Sequence, residues 1–217
     1  FPQDLYNNIQ PVNVFIDTSL KAHSALLSLV KGASYNFERF NDQKWTNLIM
    51  NELSTNHFDV IIFDGLYSSG PLTDLKEKFS GKIFLRAHNV EYKIWSQLSE
   101  HSRNPFKKWY YKSLSRQLKR VEQEVFSSVE GILAITSLDE KTIVSEFAVK
   151  QTISIPFTQP EVNPKKDYSS CNLFHLGSMN WEPNIEAVRI LITDIYPKVR
   201  KSLPSLKLKI AGSNMDV

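Results

Sequence analysis

Apolar residues fall into short continuous runs separated by stretches of helical periodicity. Five runs, Val60–Phe63, Lys82–Leu85, Gly131–Ile135, Leu173–Leu176 and Leu206–Ile210, are rich in Val, Ile, Leu and Phe. They read as strands, and because they are continuous, not alternating, they predict a parallel sheet covered on both faces. Thr152–Ile155 is a weaker sixth strand. Leu20 to Val30 predicts a helix stopped at Gly32. Trp45, Leu48, Ile49 and Leu53 share one helical face just before the strand at Val60. The longest helix is expected from about Phe106 to Ser128, with Tyr110, Leu114, Leu118, Val121 and Val125 at helical spacing.

A capping box is read at Ser137–Glu140, the serine capping backbone N–H groups and the glutamate returning the bond. A last helix, from about Pro183 to Tyr196, carries Ile185, Val188, Leu191, Ile192 and Ile195 on one face. Pro183 suits its first turn and Pro197 is expected to interrupt it. Strand and helix thus alternate. The expected class is α/β, a Rossmann-like parallel sheet with helices on both faces and ligands at the carboxyl ends of the strands. Prolines 156, 160 and 164, set among polar residues, read as a linker over 158–167 between units 1–157 and 168–217.

Composition narrows the function classes. The 217 residues carry 26 basic and 23 acidic side chains, a balance too even to imply a nucleic-acid partner. Cys171 is the single cysteine, so a disulfide framework is excluded and a reducing, cytoplasmic setting is expected. No apolar run approaches the ~20 residues that span a bilayer. The opening FPQDLYNNIQ lacks a signal peptide's basic start and apolar centre, and no methionine precedes it. The end, LKLKIAGSNMDV, stops just after a strand, so the chain reads as a fragment at both ends.

Several chemistries are disfavoured by motif. With seven glycines there is no G-x-G-x-x-G or G-K-[ST] loop, and no G-x-S-x-G elbow. The five histidines are scattered, without an H-E-x-x-H pair, so no metal is expected. What remains lies at strand ends. Asp64-Gly65-Leu66-Tyr67, the segment Arg86 to Tyr92 (RAHNVEY), Thr136-Ser137 and Gly177-Ser178-Met179-Asn180 each follow a strand. A glycine before a helix N-terminus lets backbone N–H groups approach an anion, though Gly177 can equally complete a tight turn. His88 can donate to a hydroxyl or stabilise charge, while Asn89 and Glu91 can read sugar or amide groups. In the plainer reading His88 is a hydrogen-bonded strand-end residue, with Asn89 and Glu91 a turn and a helix start.

The long helix has a basic side, with Lys107, Lys108, Lys112, Arg116, Lys119 and Arg120, and aromatics Trp109, Tyr110 and Tyr111 near its start. Such a helix can lie on an anionic membrane surface. A solvated face is the commoner outcome, here softened by Glu122 and Glu124.

Two segments resemble the GT-B glycosyltransferases, specifically those of glycosyltransferase family 4. One is RAHNVEY followed by the long helix and GILAITSLDE; the other is FHLGSMNWEPNIEAVRILITDIYPKVRKSLPSLKLKIAG. FDVIIFDGLY and IPF fall in the corresponding order, and the likeness covers nearly the whole chain, weakly in its first thirty residues or so. The resemblance implies two Rossmann-like domains facing each other across a cleft, here most of the acceptor domain and the start of the donor domain. It implies a sugar transferase, retaining in type, moving a sugar from a nucleotide diphosphate sugar to a glycan or lipid-linked acceptor. No metal or other cofactor is implied, and the setting would be the cytoplasm or the inner face of its membrane.

By the same resemblance, His88 matches the histidine placed near the transferred sugar. Gly177 and Ser178, with Met179 and Asn180, match the loop facing the donor diphosphate. Gly212 matches the glycine closing the next strand, and Ser137 a serine opening a helix at the cleft. Asp64, Tyr67, Asn89 and Glu91 fall on the acceptor side. The chain departs from the pattern where relatives carry an arginine after the loop glycine and a lysine further on; here stand Ser178 and Met179. The family's opening glycine-rich loop and later pair of glutamates are absent from these residues, so this polypeptide alone is expected to have little or no transferase activity. The alternatives are a sugar-nucleotide epimerase or hydrolase on the same fold, and a non-catalytic carbohydrate-binding scaffold. A glycoside hydrolase would need two carboxylates flanking one bond, and the spacing of Asp64 and Glu91 does not supply them.

Overall fold

The structure is a computed structural model that describes residues 9–19, 21, 28, 32–149, 151–158 and 172–215. The helix predicted over Leu20–Val30 lies outside these residues except at Lys21 and Ser28, as does the predicted linker from residue 159 onward. The chain divides into two compact units, Phe1–Phe157 and Thr158–Val217.

In the first unit the elements run α1 (Tyr35–Glu38), α2 (Gln43–Thr55), β1 (Val60–Asp64), a 3-10 turn (Leu66–Ser69), α3 (Leu72–Lys78), β2 (Lys82–Ala87), α4 (Glu91–His101), α5 (Pro105–Ser128), β3 (Gly131–Ala134), α6 (Ser137–Phe147) and β4 (Thr152–Ser154). The four strands form one parallel sheet in the order β1-β2-β3-β4. Asp64 pairs with Arg86, and Ala87 with Ala134, so the carboxyl ends of the strands share one edge. This is the Rossmann-like α/β architecture expected for strands of this composition.

The two faces of the sheet differ. Phe63, Ile83, Leu85, Ala87, Ile132 and Ala134 are buried on one face, against a core that includes Leu114, Leu118 and Phe126 of α5 and Ile143 and Phe147 of α6. Phe126 and Phe147 meet edge to face at 4.9 Å. On the other face Ile62 and Ile153 stay 55% and 57% exposed. The sheet is flanked by helices as expected, and at Ile62 and Ile153 this second face is the less covered one among the described residues.

Capping and packing also correct the sequence reading in detail. The cap of α6 is Thr136, whose Oγ1 accepts from the Asp139 N–H at 3.0 Å, so the box starts one residue before Ser137. Threonine in extended backbone can turn its hydroxyl onto that N–H, whereas Ser137 is already the first helical residue. The buried stripe of α5 runs through Tyr111, Leu114, Leu118, Val125 and Phe126, with Tyr110 and Val121 only partly covered.

The second unit is a β-α-β arrangement of β5 (Asn172–Leu176), α7 (Glu182–Ile190), a π-helical turn (Leu191–Ile195), α8 (Tyr196–Ser202) and β6 (Lys207–Ala211). β5 and β6 are parallel. The α-helix is interrupted just before Pro197, as expected, but helical structure resumes and runs on to Ser202. The proline lies in the first turn of α8, and the preceding wide turn accommodates the bond that its missing N–H cannot make. Among the described residues of both units, no helix is long and apolar enough to cross a membrane.

The start of α4 depends on a residue far along the chain. Its N-cap position is Val90, which has no side-chain acceptor to offer. Instead Glu122 of α5 accepts the Glu91 N–H on Oε1 at 2.6 Å and the Tyr92 N–H on Oε2 at 3.1 Å. Glu122 is 0% exposed. A short connection, 102–104, folds α4 back along α5, where Ser115 Oγ donates to the Tyr92 carbonyl at 2.9 Å and Trp95 packs on Tyr111. Burial pushes the Glu122 carboxyl up to about 8, opposed by the two N–H donors.

Glu122→Ala leaves two buried N–H groups without their acceptor, and a loss of roughly 2–4 kcal/mol is expected in urea unfolding. The pH dependence has a definite sign. Glu122 binds its proton more tightly folded than unfolded, so its contribution is full below about pH 4.5 and declines until about pH 8. The stability of the wild type relative to Glu122→Gln should fall across that window, and a difference independent of pH would contradict the assignment.

Candidate functional site

The carboxyl edge of the first sheet gathers three polar side chains. Asp64 ends β1, Arg86 lies beside it in register on β2, and His88 follows two residues later. Side chains two apart on extended chain share a side of the sheet, which brings Arg86 and His88 together. His88 Nε2 lies 2.7 Å from Asp64 Oδ1, and Arg86 Nη1 lies 3.8 Å from the same oxygen. The Arg86 guanidinium stacks over the Phe157 ring at 4.4 Å, and that ring also lies 6.0 Å from the imidazole. His88 and Asp64 remain open to solvent, at 38% and 63% side-chain exposure, so a ligand can reach both.

Chemically this is an imidazole oriented by a carboxylate, with a fixed guanidinium beside it. A carboxylate oxygen only accepts, so Asp64 assigns the proton to Nε2 and leaves Nδ1 of a neutral ring as an acceptor. Gly65 leaves room along that edge. A Cβ there would sit 3.7 Å from Nδ1 and Cε1 of His88. Its backbone, at φ 94° and ψ 150°, lies in a region open essentially to glycine alone.

The remaining acceptor-side candidates form a second, more enclosed group. Tyr67 Oη donates to Glu91 Oε2 at 3.0 Å, and Asn89 Nδ2 donates to Glu91 Oε1 at 3.4 Å. Glu91 is 6% exposed, and burial raises its carboxyl while the Tyr67 and Asn89 bonds oppose the rise. Burial and the neighbouring Glu91 push the Tyr67 phenol upward too. The structure thus ties Glu91 and Tyr67 into the support of the 88–91 loop, where both carboxylate oxygens are already engaged. It also makes Glu91 the first residue of α4, as in the plainer sequence reading. Ser137 lies exposed in the first turn of α6, one residue after the Thr136 cap.

Arg86 is the member of the cluster that sequence reasoning did not select. The signal was its spacing from His88 within R-A-H, which puts both on one side of an extended strand.

In the second unit, Gly177, Ser178, Met179, Asn180 and Gly212 gather at the carboxyl ends of β5 and β6. The Gly177 N–H donates to the Ala211 carbonyl at 3.0 Å, and the Met179 N–H to the Ser213 carbonyl at 2.9 Å. Ser178 Oγ contacts Ser213 Oγ at 2.6 Å and donates to Asn180 Oδ1 at 2.7 Å, while Asn184 Nδ2 holds the Ser178 carbonyl at 3.0 Å. The N–H of Gly177 is therefore spent on the strand ladder, not turned outward to an anion. Small residues are needed for another reason: a Cβ on Gly212 would fall 1.7 Å from the Gly177 carbonyl oxygen. Gly212 thus lets the Gly177 backbone pass, whereas a Cβ on Gly177 would press on side chains, 3.0 Å from His175 Nε2 and 3.2 Å from Asn184 Nδ2.

Among the described residues no group of three or more His, Cys, Asp or Glu side chains could hold a metal ion. No protein-family model matches the chain. It is similar to an "Uncharacterized 44.6 kDa protein in cps region" of Klebsiella pneumoniae, with 27% identity over 156 residues. That match covers 72% of this chain and 39% of the relative, so the chain spans well under half the relative's length.

Gly65→Ala and Gly65→Asn should each lower stability by roughly 1–3 kcal/mol, because asparagine tolerates the left-handed helical region but not this one. Urea unfolding of both variants checks the point; an asparagine variant as stable as wild type would place Gly65 elsewhere in backbone space.

Proposed function

We propose that the parent polypeptide is a glycosyltransferase that moves a sugar from a nucleotide diphosphate sugar to a glycan or lipid-linked acceptor. The observation that carries the reading is the His88–Asp64 pair, with Arg86 beside it, on the carboxyl edge of a parallel α/β sheet. Support comes also from the resemblance of RAHNVEY and the LGSMNWEPN segment to family 4 enzymes, and from the relative's name, which sets that protein in a cps region and so in a polysaccharide-biosynthesis context.

The reaction asks for two things that these groups supply. As the bond between the anomeric carbon and the diphosphate oxygen breaks, negative charge grows on the leaving phosphate and positive charge on the sugar ring. Arg86, a guanidinium held over Phe157, suits the phosphate. His88, held in one tautomer by Asp64, presents Nδ1 to a hydroxyl of the sugar or of the acceptor.

The test uses the full-length protein, a panel of nucleoside diphosphate sugars, and release of the nucleoside diphosphate with and without glycan acceptors. His88→Ala should lower kcat by about 100-fold or more with little change in the donor KM, whereas Arg86→Ala should mainly raise that KM. Release that needs no acceptor and yields free sugar would favour a hydrolase. A His88→Ala variant as active as wild type would overturn the assignment.

A further inference from the structure

The amino-terminal half of α5 plays no part in the site just described, yet its surface is unusual. Phe106 is 82% exposed and Trp109 is 66% exposed. At 3.6 residues per turn, Phe106, Trp109, Lys112, Arg116 and Arg120 fall within an arc of roughly 120°. That arc lies opposite the buried stripe of Leu114, Leu118 and Val125. No aspartate or glutamate occurs between Glu100 and Glu122, while Arg103 and Lys108 add exposed positive charge at the start of the helix. Of the two glutamates expected from sequence to soften this charge, Glu122 is buried on the far side and cannot do so, and Glu124 is exposed only beyond Arg120, more than four turns from Phe106.

Two features set this surface apart from an ordinary solvated face. The first turn of α5 holds no acidic residue, and Lys107 and Lys108 stand where the helix dipole disfavours cations. Large apolar rings left in water beside that charge gain nothing for the isolated fold. A local rule broken twice in one turn is expected where function compensates for the cost.

We propose that this face docks on an anionic phospholipid bilayer. Phe106 would enter the boundary between headgroups and acyl chains, Trp109 would lie at headgroup level, and Lys108, Lys112 and Arg116 would meet lipid phosphates. Apolar rings combined with a polybasic patch supply the two signals that stable peripheral attachment needs. A nucleic acid would also welcome the charge, but single-strand binders line a groove with their aromatics, and this face is the convex side of one helix. The inference does not depend on the transfer reaction.

The test is co-sedimentation of the full-length protein with phosphatidylcholine vesicles, with and without about a third phosphatidylglycerol. Anionic vesicles should be bound at least ~10-fold more tightly than neutral ones, and added salt should weaken the binding. Lys112→Glu with Arg116→Glu should remove the preference for anionic lipid. Lys76→Glu with Lys78→Glu on exposed α3, the same change in net charge, should leave it intact. Phe106→Ser with Trp109→Ser should weaken binding while keeping its salt dependence. Melting curves confirm that each variant is folded. Absence of vesicle binding, equal binding to neutral lipid, or displacement of the vesicles by a single-stranded oligonucleotide would overturn the proposal.

Discussion

The buried carboxylate of Glu122 is the contact on which the candidate site depends. It accepts the first two N–H groups of α4 and stands in for a local cap that Val90 cannot provide. An uncapped helix start inside the core would leave polar groups unpaired, so the contact determines where α4 begins. It thereby fixes the path of residues 88–91, which join β2 to α4. His88 is the first residue of that path, and its Nε2 reaches Asp64 on the neighbouring strand.

A second set of contacts braces the same junction from the surface. Glu146 of α6 pairs with Lys93 at 2.9 Å and Lys119 at 3.2 Å and accepts from the Tyr92 hydroxyl. These partners, the Tyr92 bond foremost, hold its carboxyl down to about 2. The two glutamates therefore act in opposite electrostatic regimes. Glu146 keeps its charge in company with cations near solvent, whereas burial works against charge on Glu122. Glu122 holds the backbone of Glu91 and Tyr92 from inside and Glu146 the side chains of Tyr92 and Lys93 from outside, while Glu91's own carboxylate is held by Tyr67 and Asn89. The exposed part of the site is small and the supporting part is large.

Much of the fold was legible because buried parallel strands write themselves as unbroken apolar runs, as at Ile61–Phe63 and Ile83–Leu85. α4 was harder to see, since EYKIWSQLSEH mixes charge with few apolar residues and its cap lies 31 positions away. No local window contains that partner. His88 and Asp64 were legible as strand-end polar residues, but their pairing follows from sheet register, as does the place of Arg86. The loop at Gly177 was legible as a strand-ending turn, but the tightest backbone approach there demands glycine at 212, 35 residues on, where no local window shows it. Charge on the long helix was plain from composition; which charges face water required the helix to be placed against its sheet.

The central claim is that a distant buried carboxylate holds the loop that presents His88. Hydrogen exchange of backbone amides in the wild type and in Glu122→Ala tests it most directly, followed by mass spectrometry of peptides covering 86–95. The account predicts that exchange in this segment accelerates by ~10-fold or more while peptides from β3 and β4 keep their wild-type protection. Unchanged exchange at Glu91 and Tyr92, or a loss of protection spread evenly over the sheet, would contradict it.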